Sequence, residues 1–204
     1  MLRADALLKM HRAERHVVIR QVLLLSIDEL LERDLEPIVF GAHEQTICHR
    51  LAVYLERHTD LNVDCEYNRN ITDEKRLADG KRFRPDIIMH RRSSNRENAL
   101  AVEVKMRGGT LASDTIRLRE LTRERTQFDY WAGAVIIFFN QRRALIRDGT
   151  LRVTIDWFPQ SSEQPLSKRE CVVPSGWILK LKEIGLLKSN SAATRRHTLD
   201  PDGT

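Results

Sequence analysis

The stretch RPDIIMHRRSSNRENALAVEVKM, residues 84–106, predicts a β-hairpin. Two runs rich in apolar residues flank the polar segment RRSSNREN, a pattern typical of two strands joined by a loop. Paired residues of an antiparallel hairpin have numbers with a constant sum, so a register that pairs Asp86 with Glu103 also pairs Ile88 with Ala101. In this register Asp86, Glu103 and Lys105 share one face of the hairpin, and the other face is apolar.

The charged face of this hairpin carries two carboxylates on opposed residues. Directly opposed Cβ atoms lie about 4.5 to 5.5 Å apart, so Asp86 and Glu103 are expected to repel each other. A raised pKa on one acid or a bound cation would relieve that repulsion. Carboxylates suit Mg²⁺ or Mn²⁺, and Lys105 could stabilise phosphoryl charge or help to deprotonate an attacking water. The alternative is an incidental charged pair on a solvent-facing hairpin, since 31% of the residues are charged.

The segments before the hairpin predict two helical regions and one strand. Residues 5–33 lack Gly and Pro and are expected to be helical, with a break where Ser26 and Glu29 have capping-box spacing. Apolar residues recur at helical spacing over 43–58, which predicts a second helix. Residues 61–69 alternate between apolar and polar side chains and predict a strand, followed by a charged loop.

A charged helix is expected directly after the hairpin. It spans 113–131, is opened by Ser113 or Asp114, and has among its apolar contacts Ile116, Leu121 and Phe128. The run GAVIIFFN that follows it is continuously apolar and is typical of a strand buried on both faces.

The remaining segments extend the same domain. An alternating strand is expected over 151–158, a short strand over 170–173 and a helix over 176–187. We therefore expect an α/β fold with a mixed sheet flanked by helices, in the core order α-β-β-β-α-β. The expected division is a helical extension over 1–36, an α/β domain over 37–188 and a disordered tail over 189–204.

Composition and charge limit the class of protein. The chain has 204 residues, of which 41% are hydrophobic, enough for a substantial core. Lys and Arg number 34 against 29 Asp and Glu, and this net charge of +5 permits a polyanionic partner without requiring one. Three cysteines without a CxxC pair indicate neither a zinc site nor a disulfide framework, so we expect a cytoplasmic protein. No apolar run approaches the roughly 20 residues of a membrane span, so no membrane partner is expected.

The motif residues and their order resemble a known nuclease superfamily. Pro85-Asp86 followed by Glu103-Val104-Lys105 is similar to the PD-(D/E)xK superfamily of restriction-endonuclease-like nucleases, over residues 41–140. The resemblance implies that Asp86, Glu103 and the Val104 carbonyl bind the metal and that Lys105 is the catalytic lysine. It also implies a helix glutamate at the site, a place that Glu44 occupies. A first-turn glutamate favoured by the helix dipole is the alternative explanation of Glu44.

The expected activity is that of a nuclease dependent on Mg²⁺ or Mn²⁺. It would hydrolyse phosphodiester bonds by in-line attack of a metal-activated water, with DNA as substrate and endonuclease action implied by the resemblance. Arg117, Arg119 and Arg123 could contact phosphates, although such a run is also typical of a solvated helix face. Asp114 and Gln127 could support the site, but their spacing does not decide it.

Two other functional classes remain open at this point. One is a catalytically inactive nucleic-acid-binding or assembly subunit on the same fold, and the other is an α/β protein with an incidental charged hairpin. The apolar residues from Val17 to Leu31 are too many for a solvated helix. The N-terminal helices are therefore expected to pack on the domain, on a second copy of the chain or on a partner protein.

Overall fold

The helices and strands follow the predicted order, with a short helix over Leu35–Phe40 and a small hairpin of Arg69–Asn70 with Asp73–Glu74 in addition. The computed structural model describes residues 1–70, 73–74, 76–77, 79–80, 82–92, 94–106, 112–124, 127–139, 148–159 and 166–186. The helices are α1 (Ala4–Leu8), α2 (Arg12–Arg33), α3 (Leu35–Phe40), α4 (Glu44–His58), α5 (Ala112–Leu121) and α6 (Ser175–Glu183). The strands are β1 (Asn62–Cys65), β2 (Arg69–Asn70), β3 (Asp73–Glu74), β4 (Ile87–His90), β5 (Leu100–Met106), β6 (Ala132–Phe139), β7 (Thr150–Phe158) and β8 (Ser167–Val172). The predicted tail over 189–204 lies outside the described residues.

One mixed six-stranded sheet organises the molecule, which confirms the expected α/β class. Its strand order is β1-β4-β5-β6-β7-β8, and β2 pairs with β3 in a separate small hairpin within the predicted charged loop. Strands β5 and β6 are parallel and are connected through α5, whereas the other neighbouring pairs are antiparallel. The β4 and β5 hairpin has the predicted register, because Ile88 pairs with Ala101 and Met89 with Leu100.

Helices cover both faces of the central strands. On one face, α2 and α4 pack through residues such as Leu23 and Leu51 against the odd-numbered positions of β4 and the even-numbered positions of β5. On the other face, Leu118 and Leu121 of α5 pack in a second apolar cluster with Ala101. The predicted burial of β6 on both faces is confirmed, since its residues contribute to both clusters.

The N-terminal helical region is interrupted earlier than predicted. The break lies between α1 and α2, and α2 continues through Ser26, whose hydroxyl donates to the Val22 carbonyl oxygen at 2.8 Å. The capping interaction is at the start of α2, where the His11 backbone N–H donates to the Glu14 carboxylate at 2.9 Å. The expected break at Ser26 is therefore wrong, because a serine inside a helix can satisfy its hydroxyl on the preceding turn.

The charged helix after the hairpin is shorter than predicted. It ends at Leu121, and its expected apolar residue Ile116 is 63% exposed. Just beyond the end of α5, the guanidinium of Arg12 in α2 donates hydrogen bonds to the carbonyl oxygens of Thr122 and Tyr130, each at 3.0 Å. The helix therefore ends next to a contact between residues distant in the chain, which the local sequence does not show.

Helix α5 packs closely on β6 at a glycine. A Cβ atom at Gly133 would lie 3.0 Å from the side chain of Thr122, the residue after α5, and 3.5 Å from the Leu118 side chain of α5. The missing side chain therefore permits the close approach of α5 to the sheet.

Among the described residues, no helix is both long enough and apolar enough to span a membrane.

Candidate active site

Five charged residues converge where β5 ends and β4 begins. Asp86 lies directly before β4, and Glu103 and Lys105 lie on β5. Glu44 is the first residue of α4, and Asp114 lies in the first turn of α5. The structure thus brings together the four charged motif residues that the sequence singles out, and it adds Asp114.

Backbone amides of β5 fix two of the carboxylates. The Val104 N–H donates to Asp86 Oδ2 at 2.7 Å, and the Met106 N–H donates to Glu44 Oε2 at 3.1 Å. Each bond ties a residue outside the strand to the strand that carries Glu103 and Lys105. The positions of the Asp86 and Glu44 carboxylates therefore depend on the docking of their segments against β5.

Lys105 lies at the centre of the cluster. Its Nζ atom is 3.6 Å from Glu44 Oε1, 3.7 Å from Glu103 Oε2 and 3.6 Å from Asp114 Oδ2. Burial by itself lowers the pKa of Lys105, but the negative charges of Asp86 and the other three carboxylates together raise it above its ordinary value. The side chain is therefore a permanent ammonium ion at neutral pH.

Glu103 is the most strongly perturbed acid of the cluster. It is 3% exposed, and burial, followed by the charge of Asp86, raises its pKa from 4.5 to about 8. Burial also raises the pKa of Asp86, against the lowering effects of the Val104 N–H and the Lys105 ammonium. The charge of Asp86 thus contributes to the Glu103 shift, whereas the charges that raise the pKa of Asp86 are those of Glu44 and Asp114.

The chemistry of the site fits a hard divalent cation. Its donors are carboxylate oxygens, which Mg²⁺ and Mn²⁺ prefer, and the buried Oε1 atom of Glu103 has no hydrogen-bond partner among the described residues. Within the described residue ranges, however, no group of three or more His, Cys, Asp or Glu side chains is arranged to hold a metal ion. Three of the carboxylates instead converge on the Lys105 ammonium. Metal binding by Asp86, Glu103, Glu44 and the Val104 carbonyl stays a prediction.

The predicted arginines separate into two groups. Arg117 reaches the site, since its Nη1 atom is 3.4 Å from Asp114 Oδ1. Arg119 lies on α5 and Arg123 lies two residues beyond its end, and both side chains are exposed. Of the three predicted arginines, Arg117 contacts the carboxylate cluster.

Asp114 is the site residue that sequence reasoning left undecided. Its side chain is almost completely buried, and it contacts both Lys105 and Arg117. A signal was present, because Asp114, Leu118 and Leu121 have the i, i+4, i+7 spacing of one helix face. The other undecided residue, Gln127, is exposed and donates to the Arg76 carbonyl oxygen at 3.0 Å.

A free thiol lies behind the carboxylates. Cys48 is one turn after Glu44 in α4 and is buried in the apolar layer. Burial raises the pKa of the Cys48 thiol, and the charges of Asp86, Glu44 and Glu103 raise it further. This thiol therefore occupies the interface between α4 and the site.

Comparisons of the chain with protein-family models, with curated proteins and with solved structures found no match.

Proposed function

We propose that this chain is a divalent-metal-dependent nuclease that hydrolyses phosphodiester bonds in nucleic acid. The observation that carries the proposal is the convergence of Glu44, Asp86, Glu103 and Asp114 on Lys105, with one buried oxygen of Glu103 left without a partner among the described residues. Acids with a strongly raised pKa, such as Glu103, are typical of functional sites. The motif's resemblance to nucleases of DNA makes DNA the proposed substrate and endonuclease action the proposed mode.

The fold supports the same proposal at a coarser level. The elements α4, β1, β4, β5, α5 and β6 have the order helix, three strands, helix, strand, with the β2 and β3 hairpin inserted. We assign this set to a restriction-endonuclease-like core. The three cysteines are free thiols, in keeping with the proposed cytoplasmic location.

Three residues of the cluster have a role in the proposed hydrolysis, in which water attacks the phosphorus and one P–O ester bond breaks. A bound Mg²⁺ supplies positive charge that neutralises the phosphate and acidifies water. Asp86 and Glu103 would hold that cation, Asp86 through the oxygen that the Val104 amide leaves available. Lys105 acts as a hydrogen-bond donor to the phosphoryl oxygens and not as a base, because its raised pKa keeps it protonated.

A catalytically inactive nucleic-acid-binding subunit is the second candidate. The observation that favours it is the position of the Lys105 ammonium, which already contacts three carboxyl groups without any added cation. Such a cluster could hold the fold together and contribute nothing to chemistry. The two candidates differ in whether the protein cleaves its nucleic-acid ligand.

The deciding experiment is incubation of the purified protein with linear, circular and single-stranded DNA and with RNA. We expect cleavage of DNA with Mg²⁺ or Mn²⁺ and none with chelator. The variant Asp86→Asn should be inactive, and Asp28→Asn, which changes a carboxylate on α2 paired with Arg169, should retain activity. Cleavage of closed circles identifies an endonuclease. If the parent cleaves no substrate with either cation but binds DNA, the inactive candidate replaces the nuclease.

Calorimetric titration with Mn²⁺ separates the nuclease from an incidental charged hairpin. We expect the parent to bind Mn²⁺ and Asp86→Asn to lose most of the affinity, since one of the proposed ligands is then neutral. A parent that binds no Mn²⁺ would contradict the metal site.

A further inference from the structure

A groove lined by arginines lies beside the carboxylate cluster. It has a volume of about 390 Å³, and its described lining residues are Asn68, Glu74, Arg82, Phe83, Arg84 and Arg117. The lining itself has three cationic side chains against one carboxylate, and the partners of Arg84 and Arg117, which are Glu66 and Asp114, lie outside the lining. A groove of this sign attracts an anion, in contrast to the acidic cluster next to it.

Two short connections join the groove to the proposed active site. Arg84 precedes Asp86 by two residues, and burial alternates along this segment, with Arg82 and Arg84 exposed and Phe83 and Pro85 buried. From the other side, Arg117 contacts Asp114, which contacts Lys105. Asp114 is therefore the side chain that lies between Arg117 of the groove and Lys105, the group proposed to contact the phosphate.

The guanidinium groups are held in place but remain accessible. Arg82 contacts Glu74 at 2.9 Å, Arg84 contacts Glu66 at 3.2 Å and Arg117 contacts Asp114 at 3.4 Å. Their side chains are 41% to 72% exposed. Because a guanidinium has five N–H donors, one carboxylate contact orients it and leaves donors for a phosphate.

The aromatic residue of the groove cannot act as a base-stacking platform. Phe83 is buried, and the Arg117 guanidinium lies over its ring at 5.3 Å from the centroid. A nucleobase would have to displace that guanidinium to reach the ring. The groove therefore offers charge and hydrogen-bond donors to a sugar-phosphate backbone and no aromatic face to a base.

We infer that Arg82, Arg84 and Arg117 form a sequence-independent phosphate-binding subsite for the nucleic-acid strand next to the cleaved bond. This inference rests on the proposed function, since it places the bound strand relative to the carboxylate cluster. The ligand class is the phosphodiester backbone. The subsite explains how a strongly acidic cluster can receive a polyanion: the neighbouring arginines hold the strand.

The test measures binding without cleavage. Affinity for a short fluorescent DNA duplex is measured in chelator over a series of salt concentrations, for the parent and for Arg82→Gln, Arg84→Gln and Arg117→Gln. We expect each variant to bind roughly tenfold more weakly, with the salt slope reduced by about 0.9 for each arginine that no longer neutralises a phosphate. Arg33→Gln is the control, because Arg33 is an exposed, ion-paired arginine on α2, which packs on the other face of the sheet.

The outcomes separate the subsite from the proposed function. Folding of each variant is checked by its melting temperature, and Arg117→Lys, which keeps the charge, should retain the salt slope of the parent. Loss of affinity should be equal on two duplexes of unrelated sequence. If the parent cleaves DNA but the three glutamine variants bind as the parent does, the subsite is wrong and the nuclease stands. If the parent neither binds nor cleaves nucleic acid, both are wrong.

Discussion

At the scale of single residues, Lys105 distinguishes catalysis from binding. If its ammonium contacts the phosphate in the transition state, Lys105→Ala should reduce turnover by on the order of 10² or more and leave DNA and Mn²⁺ affinities nearly unchanged. Asp86→Ala should lose Mn²⁺ affinity and turnover together. Cleavage rate, Mn²⁺ affinity and melting temperature are measured on both variants. A lower melting temperature of Lys105→Ala with unchanged activity per folded molecule would indicate a structural ion pair.

The raised pKa of Glu103 predicts a pH dependence of stability in the metal-free protein. The folded state holds a proton up to about pH 8, whereas the unfolded state releases it near the ordinary pKa of 4.5. The unfolded state therefore binds fewer protons in this window, so the free energy of unfolding should fall as the pH rises from roughly 5 to 8. Denaturant unfolding in chelator measures this fall.

Two variants and a cation test the origin of that fall. Glu103→Gln should flatten the dependence, and Glu32→Gln, at an exposed position of α2, should not. Added Mg²⁺ should also flatten it if Glu103 binds the cation as a carboxylate. A parent whose stability does not change over this window would contradict the assignment of the raised pKa.

How far the sequence determined the site depended on the range of each contact. Asp86, Glu103 and Lys105 were predicted together because a hairpin register is a local property of two adjacent strands. Asp114 was left undecided because its contact with Lys105 depends on how α5 packs across the β5 and β6 pair. Arg119 was grouped with Arg117 because the prediction used charge alone and not the apolar spacing that marks the buried side of the helix.

At the scale of secondary-structure elements, Gly133 controls the distance between α5 and the sheet. Gly133→Ala places a Cβ atom 3.0 Å from the Thr122 side chain and should destabilise the protein by about 1 to 3 kcal/mol through overpacking. The same change should lower turnover, since α5 carries Asp114. Gly176→Ala is the matched control because no atom lies within 4 Å of the added Cβ. Equal stability of Gly133→Ala and the parent would contradict the close packing.

The ends of the elements were predicted less well than their order. The register of β4 and β5 follows from alternation along both strands, and the structure has that register. The predicted end of α5 was wrong, and beside the observed end Arg12 of α2 binds the Thr122 carbonyl oxygen, a contact that the local sequence does not show. The break at Ser26 was wrong because spacing alone does not distinguish a capping serine from one inside a helix.

At the scale of the whole molecule, the N-terminal helices contribute to the central core. Leu23 of α2 is completely buried, whereas Leu25 of the same helix is 54% exposed. Leu23→Ala should therefore cost about 2 to 5 kcal/mol of stability, and Leu25→Ala should cost little. Denaturant unfolding of the two variants gives the comparison, and equal stabilities would contradict this packing.

The Leu25→Ala variant also tests the predicted partner surface of these helices. Because α2 packs on α4 and the sheet, its buried side is not available to a second copy or a partner protein. The exposed side keeps Val17 and Leu25. If the chain forms a homodimer through this side, Leu25→Ala should lower the mass of the particle measured in solution. A parent that is already monomeric would contradict the homodimer.

The buried thiol of Cys48 makes the integrity of the candidate active site measurable by chemical labelling. A thiol reagent reacts with the thiolate, and here both the shielding by α4 and the raised pKa suppress that reaction. In a background with the other two cysteines changed to Ser, the labelling rate reports how often α4 detaches from β5 and carries Glu44 away. A cation that bridges these elements should slow the labelling. Cation binding can then be followed without any nucleic-acid substrate.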